Sequence, residues 1–160
     1  MRRLYPPVFL FSILNGWRYN LPICRFKSAI NGYVKGVTFY KGTGNTGQHT
    51  GTLWSASGTQ LATGTFGSET ASGWQTLTFA TPVAITAGTS YVVSYHAPNG
   101  NYAVDGGYFS GAHQSYPLTA TADTAGSPNG LYHYGSDSAF PTGTYGSANY
   151  WVAPIFSTTP

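Results

Sequence analysis

The sequence predicts an all-β domain, an antiparallel β-sandwich or jelly roll with about eight to nine strands. Short segments in which apolar and polar residues alternate recur along the chain, and this period of two allows one face of each segment to be buried. Gly-rich connections separate these segments, and no apolar stripe at helical spacing occurs. We therefore expect short strands joined by turns and no long helix.

The composition supports one folded domain. A chain of 160 residues can bury about 70% of its unfolded surface. Aromatic residues make up 16% of the chain and charged residues 7%, whereas a disordered chain would be poor in aromatics. This composition suits side-chain packing across pleated sheet faces.

A β-meander is expected in the first half of the chain. In its first strand Tyr33, Val37 and Phe39 share a face, with Lys35 as the polar exception. Ser57-Gly58 is a turn dipeptide that joins the second and third strands as a hairpin. The three predicted strands are Tyr33–Tyr40, Thr50–Ser55 and Gln60–Phe66.

The later strands are predicted from the same alternation, which is clearest at Ser90–His96. Pro82–Gly88 is expected to be a short edge piece and a turn, because proline lacks the N–H that a central strand donates. Most of residues 108–147 is predicted as connection. The other expected strands are Trp74–Phe79, Asn101–Asp105, Leu131–Tyr134 and Asn149–Phe156.

Residues 1–25 differ from the remainder, which we take as the domain proper, residues 26–160. Arg2 and Arg3 precede the apolar run Val8–Leu14, which is the outline of a secretory signal, although no small-residue cleavage site follows. The alternative is a vestigial segment. Cys24 is the only cysteine, so an intrachain disulfide is excluded. No apolar run approaches the ~18 residues of a membrane helix.

Charge is distributed very unevenly along the chain. All seven Lys and Arg lie at or before Lys41 and all four Asp and Glu lie after it, so residues 1–41 carry +7 and residues 42–160 carry −4. Nucleic-acid binding requires basic residues along a face of the folded domain. We therefore expect no nucleic-acid partner and no membrane span.

The sequence predicts no catalytic or metal site. Glycoside hydrolysis needs two facing carboxyl groups, and Glu69, in a polar turn, is expected to be a solvated acid. The four histidines are widely spread and none forms a helical metal-binding pair. No cofactor is expected. A structural calcium bound by loop oxygens near Asp105 and Asp137 is an alternative that the scarcity of acids disfavours.

The stretch from Tyr95 to Tyr108 combines aromatic, amide and acidic side chains in a loop-rich region. Sugars present apolar C–H faces and hydroxyls, which exposed aromatic rings and Asn, Asp or His side chains can bind. Trp54, Trp74 and Trp151 are expected to be core residues. The candidate ligand-binding residues are His96, Asn99, Asn101, Tyr102, Asp105, Tyr108 and Tyr134.

Between about Phe26 and Phe156 the chain contains the strings GYVKGVTFYKGTGNTGQHTGTLWSASGTQLATGTF and ETASGWQTLTFATPVAITAGTSYVVSYHAPNGNYAVDGGYF, with GLYHYG and TYGSANYWV. In these strings the chain resembles the DUF4082 domain family. The resemblance implies a bacterial secreted or cell-surface β-sandwich module without an established function or catalytic residue. At the start, NLPICRFKS departs from the family and matches only at Phe26–Ser28. The resemblance therefore does not establish the first strand, nor whether one edge of a sheet is covered.

Three functions are consistent with these observations. The favoured one is a non-catalytic extracellular accessory module that binds carbohydrate or a cell-wall polymer, with a polysaccharide or glycan and neighbouring domains as partners. The alternative is a structural spacer or adhesive repeat of a large surface protein. A small hydrolase is the third. Exposed aromatics in a groove would favour the first, and a surface of only Thr, Ser and Gly the second.

Overall fold

A computed structural model describes residues 25–133 and 139–160, which form eleven β-strands and a single 3₁₀ turn at Tyr108–Ser110. The all-β prediction is confirmed. The strands outnumber the expected eight to nine because several strands of two or three residues lie in the predicted connection. The strands are β1 Arg25–Ser28, β2 Gly32–Lys41, β3 Thr50–Ser55, β4 Gln60–Thr65, β5 Gly73–Ile85, β6 Ser90–His96, β7 His113–Ser115, β8 Leu118–Ala120, β9 Leu131–Tyr132, β10 Gly143–Thr144 and β11 Val152–Ser157.

Two antiparallel sheets form the sandwich. The larger has the order β4-β3-β6-β1-β8-β7 and the smaller the order β11-β2-β5, while β9 and β10 pair separately. Side chains from the inner faces of both sheets form one buried cluster, so the core lies between them. Its fully buried members include Phe26, Val37, Phe39, Leu53, Val93, Phe109 and Leu118.

The pairing of β2 with β5 corrects the predicted face of the first meander strand. The register shifts between Val34 and Gly36, and this irregularity reverses the alternation. Val34 is therefore buried in the core while Tyr33 is half-exposed, contrary to the prediction. Gly36 permits the close approach of β5 at this point, because a Cβ there would lie 1.9 Å from the Leu77 carbonyl oxygen.

The β5 strand is continuous from Gly73 to Ile85, where a strand and a separate edge piece were expected. Pro82 lies inside it. Among the described strands β5 pairs only with β2, so it forms an edge of the smaller sheet, and an edge strand tolerates the missing N–H of proline. The turn signal at Pro82 therefore does not end the strand.

The β1 strand lies inside the larger sheet, between β6 and β8. Phe26 pairs with Tyr91 on one side and Ala120 on the other, and its side chain is fully buried. The Arg25–Ser28 segment thus supplies a central strand. The signal-like or vestigial segment, apart from Arg25, lies outside the described residues, as does Cys24.

Three of the later predicted strands are shorter in the structure. Asn101–Asp105 contributes only an isolated bridge between Asp105 and Asn149, and the Leu131 strand ends at Tyr132. The last strand begins at Val152 because Trp151 has a φ of +54°, which an extended strand does not accept. No helix in the described part of the chain is long and apolar enough to cross a membrane.

Candidate functional site

Four connections meet at one end of the sandwich, and we refer to residues 42–49, 66–72, 97–107 and 145–151 together as the rim. Strand pairing places them there. Lys41, at the end of β2, pairs with Gly73, at the start of β5, and Thr50, at the start of β3, pairs with His96, at the end of β6. The 145–151 connection reaches the rim through the bridge between Asn149 and Asp105.

Two of the predicted site residues fasten one rim connection to another. Asn99 is exposed, and its Nδ2 donates to the Thr46 carbonyl oxygen at 3.2 Å. Asn101 is also exposed, and its Nδ2 donates to the Gly44 carbonyl oxygen at 3.2 Å. These amides hold the 97–107 connection against the 42–49 connection. His96 is half-buried beside them at the end of β6.

Aromatic and acidic side chains complete this part of the rim. Tyr102 is 37% exposed, and its ring meets that of Tyr150 edge to face at 5.5 Å. Asp105 is exposed. The rim and its immediate neighbours His96 and Tyr108 therefore include six of the seven predicted residues, and Tyr134 lies outside the described residues.

Five half-buried rings form a continuous series that begins beside the rim and includes its last residue, Trp151. We call this series the aromatic row: Tyr40, Trp74, Trp151, Tyr108 and His113. Their centroids are separated in that order by 5.7, 6.4, 5.8 and 4.1 Å. The row extends from β5 and β2 of the smaller sheet to β7 at the edge of the larger sheet. Burial raises the pKa of Tyr108, and the negative charge of Asp105 raises it further.

The aromatic row was only partly foreseen. Trp54 is buried as expected, but Trp74 and Trp151 are half-exposed and lie outside the buried core. One signal was present in the sequence: Tyr40 follows the buried Phe39 and therefore points to the opposite face of β2. The neighbours of Tyr40 in the row come from distant segments, and the sequence alone does not reveal them.

Trp151 is held in the row by an unusual backbone conformation. Its φ of +54° is uncommon for a bulky residue and costs about 1–3 kcal/mol. Two hydrogen bonds maintain it: the Trp151 N–H donates to Asn149 Oδ1 at 2.8 Å, and the Tyr40 N–H donates to the Trp151 carbonyl oxygen at 2.9 Å. Such strain is concentrated at functional sites in proteins.

Beneath the rim, a cluster of polar side chains corrects the expectation that Glu69 is a solvated turn acid. The Glu69 side chain is only 11% exposed. Its Oε2 lies 2.9 Å from Lys41 Nζ and 2.8 Å from His49 Nδ1. On the other side of the imidazole, His49 Nε2 lies 2.8 Å from Asn45 Oδ1. The cluster joins the 42–49 and 66–72 connections and the end of β2.

Electrostatics within this cluster follow from burial. The pKa of His49 is lowered by desolvation, which outweighs the opposing charge of Glu69. Burial alone would raise the pKa of Glu69, but the hydrogen bonds from Lys41 and His49 outweigh it and the pKa is lowered. Asn45 Nδ2 is buried without a partner among the described residues, and a half-turn of this amide would let it donate to the neutral imidazole.

We expect the free energy of unfolding to fall as the pH decreases through 6.5, the ordinary pKa of a histidine such as His49. It should fall again below 4.5, the ordinary pKa of a glutamate such as Glu69. Both groups bind protons more readily in the unfolded chain, so acid favours unfolding. Urea titrations between about pH 7 and about pH 5 measure the first decline. His49→Gln should flatten it. An unchanged decline in His49→Gln would contradict this assignment.

The cluster is therefore structural in character. His49 is fully buried and both ring nitrogens face partners inside the protein, so the ring is not available to a ligand. Within residues 25–133 and 139–160, no three His, Cys, Asp or Glu side chains come together as a metal-binding group. The accessible chemistry of the site consists of aromatic faces, amides and the Asp105 carboxylate.

Comparison with known proteins gives one finding. A family model described as a domain of unknown function (DUF4082) matches residues 23–152. No curated protein and no solved structure matches the chain.

Proposed function

The chain belongs to the DUF4082 domain family, and from that premise we propose that it is a non-catalytic accessory module that binds carbohydrate at the outside of a bacterial cell. The ligand would contact the aromatic row and the adjacent rim. Ring faces would pack against the C–H faces of sugars, while rim amides and Asp105 would bind the hydroxyls. Neighbouring domains of a longer surface protein would then be brought close to the glycan.

The conformation of Trp151 is the observation that carries this proposal. An aromatic residue in the left-handed region reduces stability, and a glycine would adopt the same backbone more readily. The chain nevertheless places an indole there, half-exposed and between two other rings of the row. A ligand-binding role accounts for a ring retained at this cost.

The alternative, a spacer or adhesive repeat, is favoured by a different observation. Tyr40 and Trp74 meet at 81° and Trp74 and Trp151 at 75°, so these rings also stabilise one another edge to face. The Asn99 and Asn101 amides are likewise used within the protein. A purely structural role for the row would leave carbohydrate binding unnecessary.

Retention on insoluble polysaccharides and a glycan array test the proposal. We expect Tyr40→Ala, Trp151→Gly and Tyr102→Ala each to weaken binding by about tenfold, because each removes one contacting ring. Tyr33→Ala is the matched control, since this half-exposed tyrosine lies at the other end of β2. Its binding should equal that of the wild type.

The Trp151 variants separate binding from stability. Trp151→Gly should be more stable than Trp151→Ala by about 1 kcal/mol, since glycine accepts the left-handed backbone, while both lose binding equally. Failure of the wild-type chain to bind any material would favour the spacer. Equal weakening by Tyr33→Ala would show that the row is not the binding surface.

A further inference from the structure

Lys41 and Glu69, at or beside the rim, are largely removed from solvent contact. Lys41 is 8% exposed and its Nζ is paired with Glu69. Among the Asp, Glu, Lys and Arg side chains of the rim, Asp105 is the exposed one. Just outside the rim, Asp123 Oδ2 accepts a hydrogen bond from the Ser147 hydroxyl at 2.9 Å.

The other cations among the described residues lie elsewhere in the fold. Lys27 is on β1, in the middle of the larger sheet, and Lys35 is five residues from Tyr40, about 16 Å along the extended strand. Arg25 donates through Nε to the Pro128 carbonyl oxygen at 2.9 Å. Within residues 25–133 and 139–160, the surface around the row therefore has negative charge and no available Lys or Arg.

Proteins bind the carboxylate, sulfate or phosphate groups of acidic polymers through Arg forks and Lys ammonium groups. Against Asp105 and Asp123, such a polymer would meet charges of its own sign, which costs binding free energy. The hydroxyl groups of a neutral sugar are instead favoured by a nearby carboxylate, because a carboxylate is a strong acceptor of their hydrogen bonds.

Resting on the proposed function, we infer that the ligand is a neutral polysaccharide and that Asp105 selects against anionic ones. Asp105 forms a bridge with Asn149, two residues before Trp151, and precedes Tyr108 by three residues, so it lies where the aromatic row meets the rim. A sugar packed on the row there has its hydroxyls within reach of a carboxylate acceptor. Binding of this kind depends little on salt, because it does not rely on attraction between opposite charges.

Affinity electrophoresis on matched polymers tests the inference. Hydroxyethyl cellulose and carboxymethyl cellulose form one pair, and methyl-esterified and de-esterified pectin form another. We expect the wild type to be retarded at least tenfold more strongly by the neutral member of a pair, with little change between low and moderate salt. Asp105→Lys should weaken neutral binding and strengthen anionic binding. Asp105→Asn should reduce the discrimination without reversing it.

Two further outcomes have distinct meanings. Wild-type binding that is equal for both members, or stronger for the anionic one, would overturn the inference and leave the proposed function standing. No retardation of the wild type by any polymer of the panel would overturn both. Circular dichroism of the Asp105 variants serves as the folding control, since the side chain is exposed.

Discussion

Phe39→Ala is expected to lower the free energy of unfolding by about 3–5 kcal/mol, the usual cost of emptying a buried aromatic site. Phe39 is fully buried between the sheets. Its ring stacks on Tyr95 at 4.3 Å and meets Phe66 edge to face at 4.8 Å. Urea unfolding followed by tryptophan fluorescence measures the effect.

Phe39→Leu provides the control for this prediction. Leucine retains most of the apolar volume and loses the ring contacts, so the cost should be less than half that of alanine. The slope of the unfolding transition should remain similar in both variants. A loss below about 1 kcal/mol for alanine would show that the sheets close over the site.

Asn129→Ala is expected to cost about 3 kcal/mol or more, because this fully buried side chain makes four hydrogen bonds. Its Oδ1 accepts from the N–H groups of Arg25 and Gly130, both at 2.8 Å. Its Nδ2 donates to the carbonyl oxygens of Arg25 at 3.0 Å and Thr121 at 2.7 Å. Alanine would leave these buried backbone groups unsatisfied, at about 1–3 kcal/mol for each one that water does not reach.

Asn31→Ala is the matched control for this substitution. Asn31 is exposed and accepts a single backbone hydrogen bond, from Ala87 at 2.9 Å. Its replacement should cost about 1 kcal/mol or less. Thermal unfolding of both variants gives the comparison, and a cost for Asn129→Ala no larger than that for Asn31→Ala would contradict the bridging role.

The fold was predictable because side-chain alternation is local. Thr50–Ser55 and Ser90–His96 were predicted with the bounds that the structure has. Alternation does not reveal extra residues in a partner strand. Two steps on β2, from Val34 to Gly36, are matched by five on β5, from Val83 to Thr78, and this irregularity was missed. Strands as short as β10 contain too few residues to show a period.

The candidate site was predictable where its residues are close in the chain, and was missed where they come from distant segments. The predicted residues from His96 to Tyr108 lie within one short stretch of the chain, and this loop-rich stretch keeps them together. The cluster around Glu69 and the aromatic row depend on tertiary contacts, such as the one that brings Trp74 to Trp151. The left-handed backbone of Trp151 carries no residue-level signal, since glycine and asparagine are the residues that normally mark it.

The central place of β1 affects the order in which the chain can fold. Among the described strands, the larger sheet consists of two halves, β4-β3-β6 and β8-β7, and β1 at Arg25–Ser28 joins them. Until that strand docks, β6 and β8 each present an unpaired edge that another chain could bind. Pairing between strands so distant in the chain should be slow. Chains in which Arg25–Ser28 has been removed, or has not yet docked, should therefore be prone to aggregate.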